Sequence, residues 1–359
     1  MKKILYLCPV DWQWIKQRPQ FLAEELSEIY EIHALYPYQN NRSGLQEKQP
    51  TPVTLIPCRS LPTLGGKLGF LTPVNRLWAK AQVAAALNRV KPDYLWVTMP
   101  WQLDWLPGSL EIPLFYDCMD DYAAITAEPA NRQRLLAQEK TLADRASKIF
   151  CSSENLRQLL LQRHGIPAEK TVLLRNGYNA RWSAPPATAG STDGKLRIGY
   201  FGTVGRWFDF SLLLTALEAL PQTEFHLYGP AERGIRIPEH PRLRCHGVVA
   251  HGQIPEKAAQ LDGLMMPFVP NDIVKSVDPV KLYEYIYLQK NILCIRYPEI
   301  LRFEPFLLFY DTPEEFQNRL KQLGADPTVT YTPEEANTFL LRNSWRVRAE
   351  EVHAVIQTI

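Results

Sequence analysis

Short apolar runs alternate with amphipathic stretches along the first half of the chain. The apolar runs predict strands at Ile4–Val10, Ile32–Tyr36, Val53–Pro57, Tyr94–Met99, Leu114–Cys118, Ile149–Ser152 and Val172–Arg175. Between them, helical periodicity covers Gln17–Ile29, Pro73–Val90, Pro129–Ser147 and Glu154–His164. This alternation predicts a parallel sheet with crossover helices on both faces, and the nearly continuous apolar runs suit strands that are covered on both sides.

A polar segment then interrupts the pattern. Residues 183–194, SAPPATAGSTDG, contain no aliphatic side chain larger than Ala, which is typical of a linker. The alternation restarts with Leu196–Phe201, Asp209–Leu220, Glu224–Tyr228, Leu243–Cys245, Gln253–Gln260, Leu264–Phe268, Val280–Leu288, Ile292–Ile295 and Phe306–Tyr310, and ends with one long helical pattern, Pro333–Gln357.

The sequence therefore predicts an α/β protein with two Rossmann-like domains. They are residues 1–182 and 195–340, joined by the linker 183–194, with a C-terminal helix in 341–359 that crosses back to the first domain. Ligands of such sheets bind at the carboxyl ends of the strands. We expect an active site built from loops of both domains, in a cleft between them.

Composition indicates a soluble globular protein, since 46% of the 359 residues are hydrophobic and 22% are charged. The apolar run in MKKILYLCPV stops at Asp11, so it predicts a buried first strand rather than a signal peptide. The six cysteines lie in or beside predicted strands, and no two are closer than 33 residues. This spacing fits neither a disulfide framework nor a zinc site, and it indicates a cytoplasmic protein with reduced thiols.

Charge is unevenly distributed. Residues 48–92 contain seven Lys or Arg and no Asp or Glu, together with several large apolar residues. Such a surface suits an anionic membrane or a lipid-linked diphosphate. The alternative is a solvated loop followed by a helix with a basic outer face. The balance of charge gives no indication of a nucleic-acid partner.

The segment 276–290, SVDPVKLYEYIYLQK, is the strongest functional signal. Pro279 suits a first helical position, and the N–H groups from Val280 onward then point out of the helix end, where the dipole favours a diphosphate. Lys281 adds a positive charge there, and Glu284 can accept hydrogen bonds from vicinal ribose hydroxyls. The alternative is an ordinary amphipathic helix with its Lys and Glu in water.

Glycines follow the first strand of the second half, in GYFGTVGRWFDF. Gly202 and Gly205 would let a phosphate approach the backbone, and Arg206 could pair with the same diphosphate or merely cover the start of the next helix. The spacing is GxxGxxG rather than the GxGxxG of dinucleotide folds, which argues against a dehydrogenase.

A second loop, CHGVVAHGQIP, could hold a flat base through backbone groups and Val249. His246 and His251 in this loop are interpreted as loop or partly buried histidines rather than as catalysts.

These segments, in this order, resemble the donor domain of a GT-B fold Leloir glycosyltransferase. The similarity is greatest to the group of teichuronic-acid and exopolysaccharide glycosyltransferases, whose N-terminal halves carry elements like DWQWIKQRPQ (11–20) and YDCMDD (116–121) here. The resemblance implies ribose binding by Glu284 and diphosphate binding by Lys281 and Arg206. Retaining members of the wider family carry a second glutamate eight positions before the ribose-binding one, and that position is Ser276 in this chain.

Three carboxylates cluster in YDCMDD, where a strand ends. Asp117, Asp120 and Asp121 are too many to bury unpaired, so at least one is expected to face an acceptor and act as general base. The alternative is that they cap the following helix or pair with Arg132 or Arg134.

The resemblance implies that the first domain binds the acceptor and the second domain binds the donor. Candidate acceptor-binding residues in the first domain are Trp12, Trp14 and Arg18. The indole rings could stack on an acceptor sugar or pack as core, and Arg18 could meet a phosphate.

We therefore predict a cytoplasmic, membrane-associated hexosyltransferase. It would move a sugar from a nucleoside diphosphate donor, a UDP-sugar, to a glycan or lipid-linked acceptor in cell-surface polysaccharide biosynthesis, with no metal or other cofactor. The alternatives are a sugar-nucleotide 2-epimerase of the same architecture and a non-catalytic nucleotide-sugar-binding protein.

Overall fold

The computed structural model describes residues 1–13, 16–38, 50–61, 71–179 and 193–359. The chain divides into two compact units, one formed by Met1–Gly177 with Trp345–Ile359 and the other by Tyr178–Ser344. Most of the predicted linker lies outside the described residues. The assignment of acceptor binding to the first domain and donor binding to the second stays a prediction.

The first unit contains a parallel sheet that has seven strands within the described residues. Their order across the sheet is β3-β2-β1-β4-β5-β6-β7. The strands are β1 Lys3–Leu7, β2 Glu31–Pro37, β3 Thr54–Cys58, β4 Tyr94–Val97, β5 Leu114–Cys118, β6 Lys148–Cys151 and β7 Thr171–Leu173. Every strand predicted in the first half is therefore present, and the order reverses between β1 and β4, which is where ligands of such sheets bind.

Helices cover both faces of this sheet. They are α1 Arg18–Leu26, α2 Thr72–Val90, α3 Tyr122–Ile125, α4 Pro129–Arg145 and α5 Glu154–His164, with 3-10 segments at Pro100–Trp105 and Ala168–Lys170. A hydrophobic core lies on each face of the sheet, and alternate residues of β4 belong to one or the other. Trp96 packs in the core on the α1 side, and Leu95 packs in the core on the side of α2 and α4.

The second unit repeats the architecture with a sheet that has six strands within the described residues, in the order β10-β9-β8-β11-β12-β13. The strands are β8 Leu196–Phe201, β9 Thr223–Tyr228, β10 Leu243–Gly247, β11 Gly263–Met266, β12 Asn291–Ile295 and β13 Leu307–Tyr310. The helices are α6 Phe210–Ala219, α7 Ile254–Ala259, α8 Asp272–Lys275, α9 Val280–Tyr287, α10 Pro313–Ala325 and α11 Pro333–Arg342. Two 3-10 segments, His251–Gln253 and Pro298–Phe306, complete the second unit.

The single helix predicted over Pro333–Gln357 is wrong, because α11 ends at Arg342 and a separate helix, α12, spans Trp345–Ile356. Asn343 closes α11, with its side-chain amide donating to Phe339 O at 2.9 Å. Trp345 then begins α12 in the core of the first unit, 1% exposed and stacked on Phe21 with ring centroids 5.6 Å apart. No described helix is both long enough and apolar enough to cross a bilayer.

Candidate functional site

Three glycines end three neighbouring strands of the second sheet. Gly202, Gly229 and Gly247 follow or close β8, β9 and β10, and all have positive φ angles, of 140°, 145° and 70°. Gly229 donates its N–H to Gly247 O at 2.7 Å, and a Cβ atom on Gly229 would lie 2.1 Å from Gly202 O. Only glycine allows the backbone to pack so closely at this edge.

Lys281 lies directly over Gly202. A Cβ atom on residue 202 would come within 2.3 Å of Lys281 Cε and 2.8 Å of its Nζ. The same ammonium group is 5.4 Å from the ring centroid of Tyr200. Two predicted donor-binding residues that are 79 positions apart in the sequence therefore lie side by side, with a positive charge held against bare backbone.

Helix α9 holds this lysine in place. Tyr285 lies in α9, is buried and accepts a hydrogen bond from Phe201 N at 2.9 Å, which fixes α9 against the end of β8. Pro279, which the sequence predicts at the first helical position, is instead the N-cap of α9, one residue before the first helical residue Val280, and it provides no side-chain cap. Val280 and Lys281 therefore occupy the first turn, where helix N–H groups favour an anion.

Glu284 is bound by a histidine that the sequence does not single out as functional. His251 Nε2 donates a hydrogen bond to Glu284 Oε1 at 2.8 Å, and both side chains are partly exposed. His251 lies in the 3-10 segment after β10, so this contact joins the loop predicted to hold the base to the helix predicted to hold the ribose. No local signal could have shown it, because the two residues are 33 positions apart.

The polar residues just before α9, Ser276 and Asp278, are buried and form contacts within the protein. Ser276, at the position of the missing acid, is 2% exposed and donates its hydroxyl to Asp272 O at 3.1 Å. Asp278 is 3% exposed and forms a salt bridge with Arg302, which also donates to Tyr283 Oη at 2.6 Å. Asp278 therefore cannot substitute for the acid that is absent at position 276 without losing a buried ion pair.

The remaining donor-site candidates lie on nearby loops. Gly205 is covered by the indole of Trp207, since a Cβ atom there would lie 2.6 Å from the ring. Arg206 is exposed, and its backbone N–H donates to Glu232 Oε2 at 3.4 Å. Val249 packs partly buried against the core of the second unit.

In the first unit, Arg18 and Asp117 form a buried pair. Arg18 Nη2 donates to Asp117 Oδ1 at 2.8 Å, and Arg18 Nη1 donates to Asn176 Oδ1 at 3.1 Å. The side chains of Arg18 and Asp117 are only 5% and 0% exposed. This geometry ties α1 to β5, and we do not propose that Arg18 binds a phosphate or that Asp117 acts as a base.

Asp121 also has structural partners. It is the N-cap of α3, where Oδ1 accepts from Ala124 N at 3.1 Å, and it pairs with Arg163 at 2.5 Å. Burial alone would raise the pKa of Asp121, but the hydrogen bond and charge of Arg163 outweigh this effect and lower the pKa below its usual value. The predicted cap is present, whereas the ion-pair partner is Arg163 rather than Arg132 or Arg134.

Asp120 differs from its two neighbours. Its carboxyl group has no ion-pair or hydrogen-bond partner among the residues that the structure describes, and the residue is partly exposed. Burial by surrounding atoms raises the pKa of Asp120 to about 7, while the Arg18 guanidinium opposes this rise and the Asp121 carboxylate adds to it. A carboxyl group with a pKa near neutrality can accept and release a proton at physiological pH.

Trp12 is 8% exposed and belongs to the core of the first unit, so the packing alternative describes it better than stacking on an acceptor sugar. Trp14 lies outside the described residues. Across the described ranges, no group of three or more His, Cys, Asp or Glu side chains is placed to hold a metal ion.

Comparison with known proteins agrees with this architecture. Residues 22–177 match the family model of the Glycosyl transferase 4-like domain. Solved glycosyltransferases with two Rossmann-like domains match the chain over its whole length. The chain has the GT-B fold. The fold class and the resemblance to GT-B Leloir glycosyltransferases predicted from the sequence are therefore confirmed.

Individual relatives of this GT-B chain are distant. TuaH of Bacillus subtilis strain 168, named as a putative teichuronic acid biosynthesis glycosyltransferase, is 24% identical over 239 residues. That match covers 61% of this chain and 60% of TuaH. Among solved structures, sucrose-phosphate synthase from Thermosynechococcus elongatus has a TM-score of 0.74 at 14% identity, covering 100% of this chain and 99% of the synthase. HepE of Anabaena, solved in complex with UDP, has a TM-score of 0.71 at 16% identity and full coverage of both chains.

Proposed function

We propose that this GT-B protein is a hexosyltransferase of cell-surface polysaccharide biosynthesis that moves a sugar from a UDP-sugar to a hydroxyl of a glycan or lipid-linked acceptor. The observation that carries the proposal is the position of Lys281 over Gly202. This contact combines a positive charge with partly exposed glycine backbone at the carboxyl edge of the second sheet, next to the first turn of α9. A diphosphate needs these features, and a purely structural helix does not.

The donor site would be built around this contact. Lys281 and the first turn of α9 would bind the diphosphate, and Arg206 would add a second positive charge from the loop after β8. Glu284, held by His251, would accept hydrogen bonds from the ribose hydroxyls. Val249 and the backbone of its loop would lie against the base. UDP is favoured as the nucleotide because HepE, with the same fold, was solved with UDP.

Asp120 is the proposed general base of the first unit. In the reaction, the acceptor oxygen would form a bond to the anomeric carbon as the bond from that carbon to the diphosphate breaks. The acceptor proton would move to the Asp120 carboxylate, and the negative charge would leave with the UDP. Lys281 and the dipole of α9 would stabilise that charge, a role that a divalent cation has in other transferases.

The test is incubation of the purified protein with a panel of labelled UDP-sugars, with and without EDTA. Slow release of UDP and free sugar, unaffected by EDTA, would support a metal-independent transferase. Conversion of the donor to an epimer would identify the alternative 2-epimerase, and binding without turnover would identify a sugar-nucleotide-binding protein. Binding of UDP that is unaffected by substitution of Lys281 would contradict the proposed site.

The proposed acceptor is a glycan or a lipid-linked molecule, and with a lipid-linked acceptor the protein would work peripherally at an anionic membrane. The acid-free stretch 48–92 supports this part of the proposal. Part of that stretch, including Lys48, Lys67 and Phe70, lies outside the described residues, but α2 lies within them.

A further inference from the structure

Helix α2 lacks charge on two opposite faces. Ala79, Val83, Ala86 and Val90 are buried in the first unit. The opposite face, which points away from that core, consists of uncharged residues, and all of them are exposed: Val74, Leu77, Trp78, Ala81, Ala84, Ala85 and Asn88. A solvent-facing helix surface ordinarily carries charged residues.

The largest side chains of this outer face lie together at its N-terminal end. Val74, Leu77 and Trp78 have the spacing i, i+3, i+4, so they form one contiguous apolar patch. Leu77 is 70% exposed, Val74 is 46% exposed and Trp78 is 41% exposed. One turn further, the exposed Ala81 and Ala85 extend the apolar surface without interrupting it. A contiguous group of large apolar side chains exposed to water is typical of a surface that binds a protein, a membrane or a ligand.

All the charged residues of α2 are basic. Lys80 is exposed beside the patch, and Arg89 and Lys91 are exposed at the C-terminal end of the helix, whereas Arg76 is engaged by Asp104 at 3.2 Å. No Asp or Glu occurs anywhere in residues 48–92. An apolar patch with a Trp and a basic border matches the boundary between acyl chains and anionic headgroups.

We infer that the outer face of α2, centred on Val74, Leu77 and Trp78, is the surface by which this protein binds an anionic phospholipid bilayer. This inference deepens the peripheral membrane contact proposed above and is independent of glycosyl transfer. A symmetric pairing of two copies through this face is disfavoured, because it would bring the Lys and Arg residues of both copies together with no acidic residue of the same segment to pair with them.

The experiment is vesicle flotation of the full chain, using phosphatidylcholine alone and equal parts of phosphatidylcholine and phosphatidylglycerol. The wild-type protein should float with the anionic vesicles, and added salt should reduce the bound fraction. The double variant Leu77→Ser with Trp78→Ser should lower the partition coefficient about tenfold or more, because it removes two large apolar groups. Lys80→Glu should lower it roughly fivefold or more on anionic vesicles and leave neutral vesicles unaffected.

Matched controls lie in the second unit. Leu341→Ser removes a side chain that is 60% exposed on α11, and Lys321→Glu reverses an exposed charge on α10. Neither change should affect flotation, and all four variants should keep the wild-type rate of donor hydrolysis. If the double variant floats like the wild type, or if the wild type binds both vesicles equally, the inference is wrong. If sedimentation shows a dimer that the double variant abolishes, the face joins two copies instead.

Discussion

His251 Nε2 lies 2.8 Å from Glu284 Oε1, so the loop after β10 and helix α9 are joined through two polar side chains. The imidazole is 34% exposed and the carboxylate is 25% exposed, which leaves room for a ligand beside the pair. One carboxylate oxygen is oriented by the histidine, and the proposed ribose contacts would use the remaining acceptor positions. His251 is therefore a positioning residue for Glu284.

His251→Ala should weaken UDP binding about fivefold, because the carboxylate loses one hydrogen bond worth about 1 kcal/mol. The Michaelis constant for the donor should rise while kcat changes little, since the ribose contact is made equally before and during reaction. His251→Gln retains a side-chain donor and should recover part of the affinity. Calorimetric titration with UDP would check this, and equal losses for both variants would assign His251 a role in local folding.

Lys281→Ala and Glu284→Ala should each reduce UDP affinity by roughly 1.5–3 kcal/mol, because each removes a hydrogen bond to a charged group. Gly202→Ala should have a similar effect without removing any polar group, since the new Cβ atom would displace the end of Lys281 and strain a backbone with φ of 140°. Gly324→Ala in α10 is the matched control, because a Cβ atom there meets its nearest neighbour at 3.9 Å. Calorimetric titration with UDP would measure the affinity of all four variants. Wild-type affinity in Lys281→Ala, Glu284→Ala and Gly202→Ala would refute the proposed donor site.

Asp120→Asn should lower turnover by about 10²–10⁴-fold and leave UDP affinity almost unchanged, because an amide keeps the shape but cannot accept the proton. In the wild type, kcat/KM should rise with pH through about 7, as the Asp120 carboxyl of the free enzyme, whose pKa is raised to that value, loses its proton. This pH dependence should disappear from the residual activity of the variant. Near-normal transfer by Asp120→Asn would instead favour a reaction assisted by the leaving phosphate.

Asp121→Asn should keep the N-cap of α3, since Asn is also a good cap, and lose the ion pair with Arg163. We expect the free energy of unfolding to fall by about 1–3 kcal/mol at neutral pH, with little effect on turnover. The folded state lowers the pKa of Asp121, so its stabilisation is present above the unfolded pKa of about 4 and is lost as the pH falls below it. Urea unfolding at several pH values would show whether the difference between variant and wild type disappears in acid.

The sequence predicts the strands well because each is a short apolar run bounded by turn residues, as in Leu114–Cys118 and Leu196–Phe201, where the predicted and observed limits agree. Helix α10 was missed, although Thr312 caps it and Pro313 opens it. The break at Asn343 was also missed, since a polar residue is compatible with a helix and only the burial of Trp345 in the other unit shows why the helix must end.

The pairing of functional side chains could not be predicted from local patterns. Arg18 and Asp117 are 99 positions apart, and only the parallel order of the strands brings α1 to the end of β5. The sequence therefore presents both as ligand-binding candidates, whereas each satisfies the buried charge of the other. Asp120 has the same carboxyl group as Asp117 and Asp121, so the sequence cannot separate the three. The structure does, because Asp117 pairs with Arg18 and Asp121 pairs with Arg163.

The position of α12 determines the order in which the two units can fold during translation. Trp345 packs beside Phe21 in the first unit, but it is synthesised only after all of Tyr178–Ser344. During translation, the nascent first unit would therefore expose the apolar surface of α1 while the second unit, which is continuous in sequence, can already fold. A C-terminal truncation would leave that surface permanently uncovered, and such a product would be a target for chaperones and proteases rather than a smaller active enzyme.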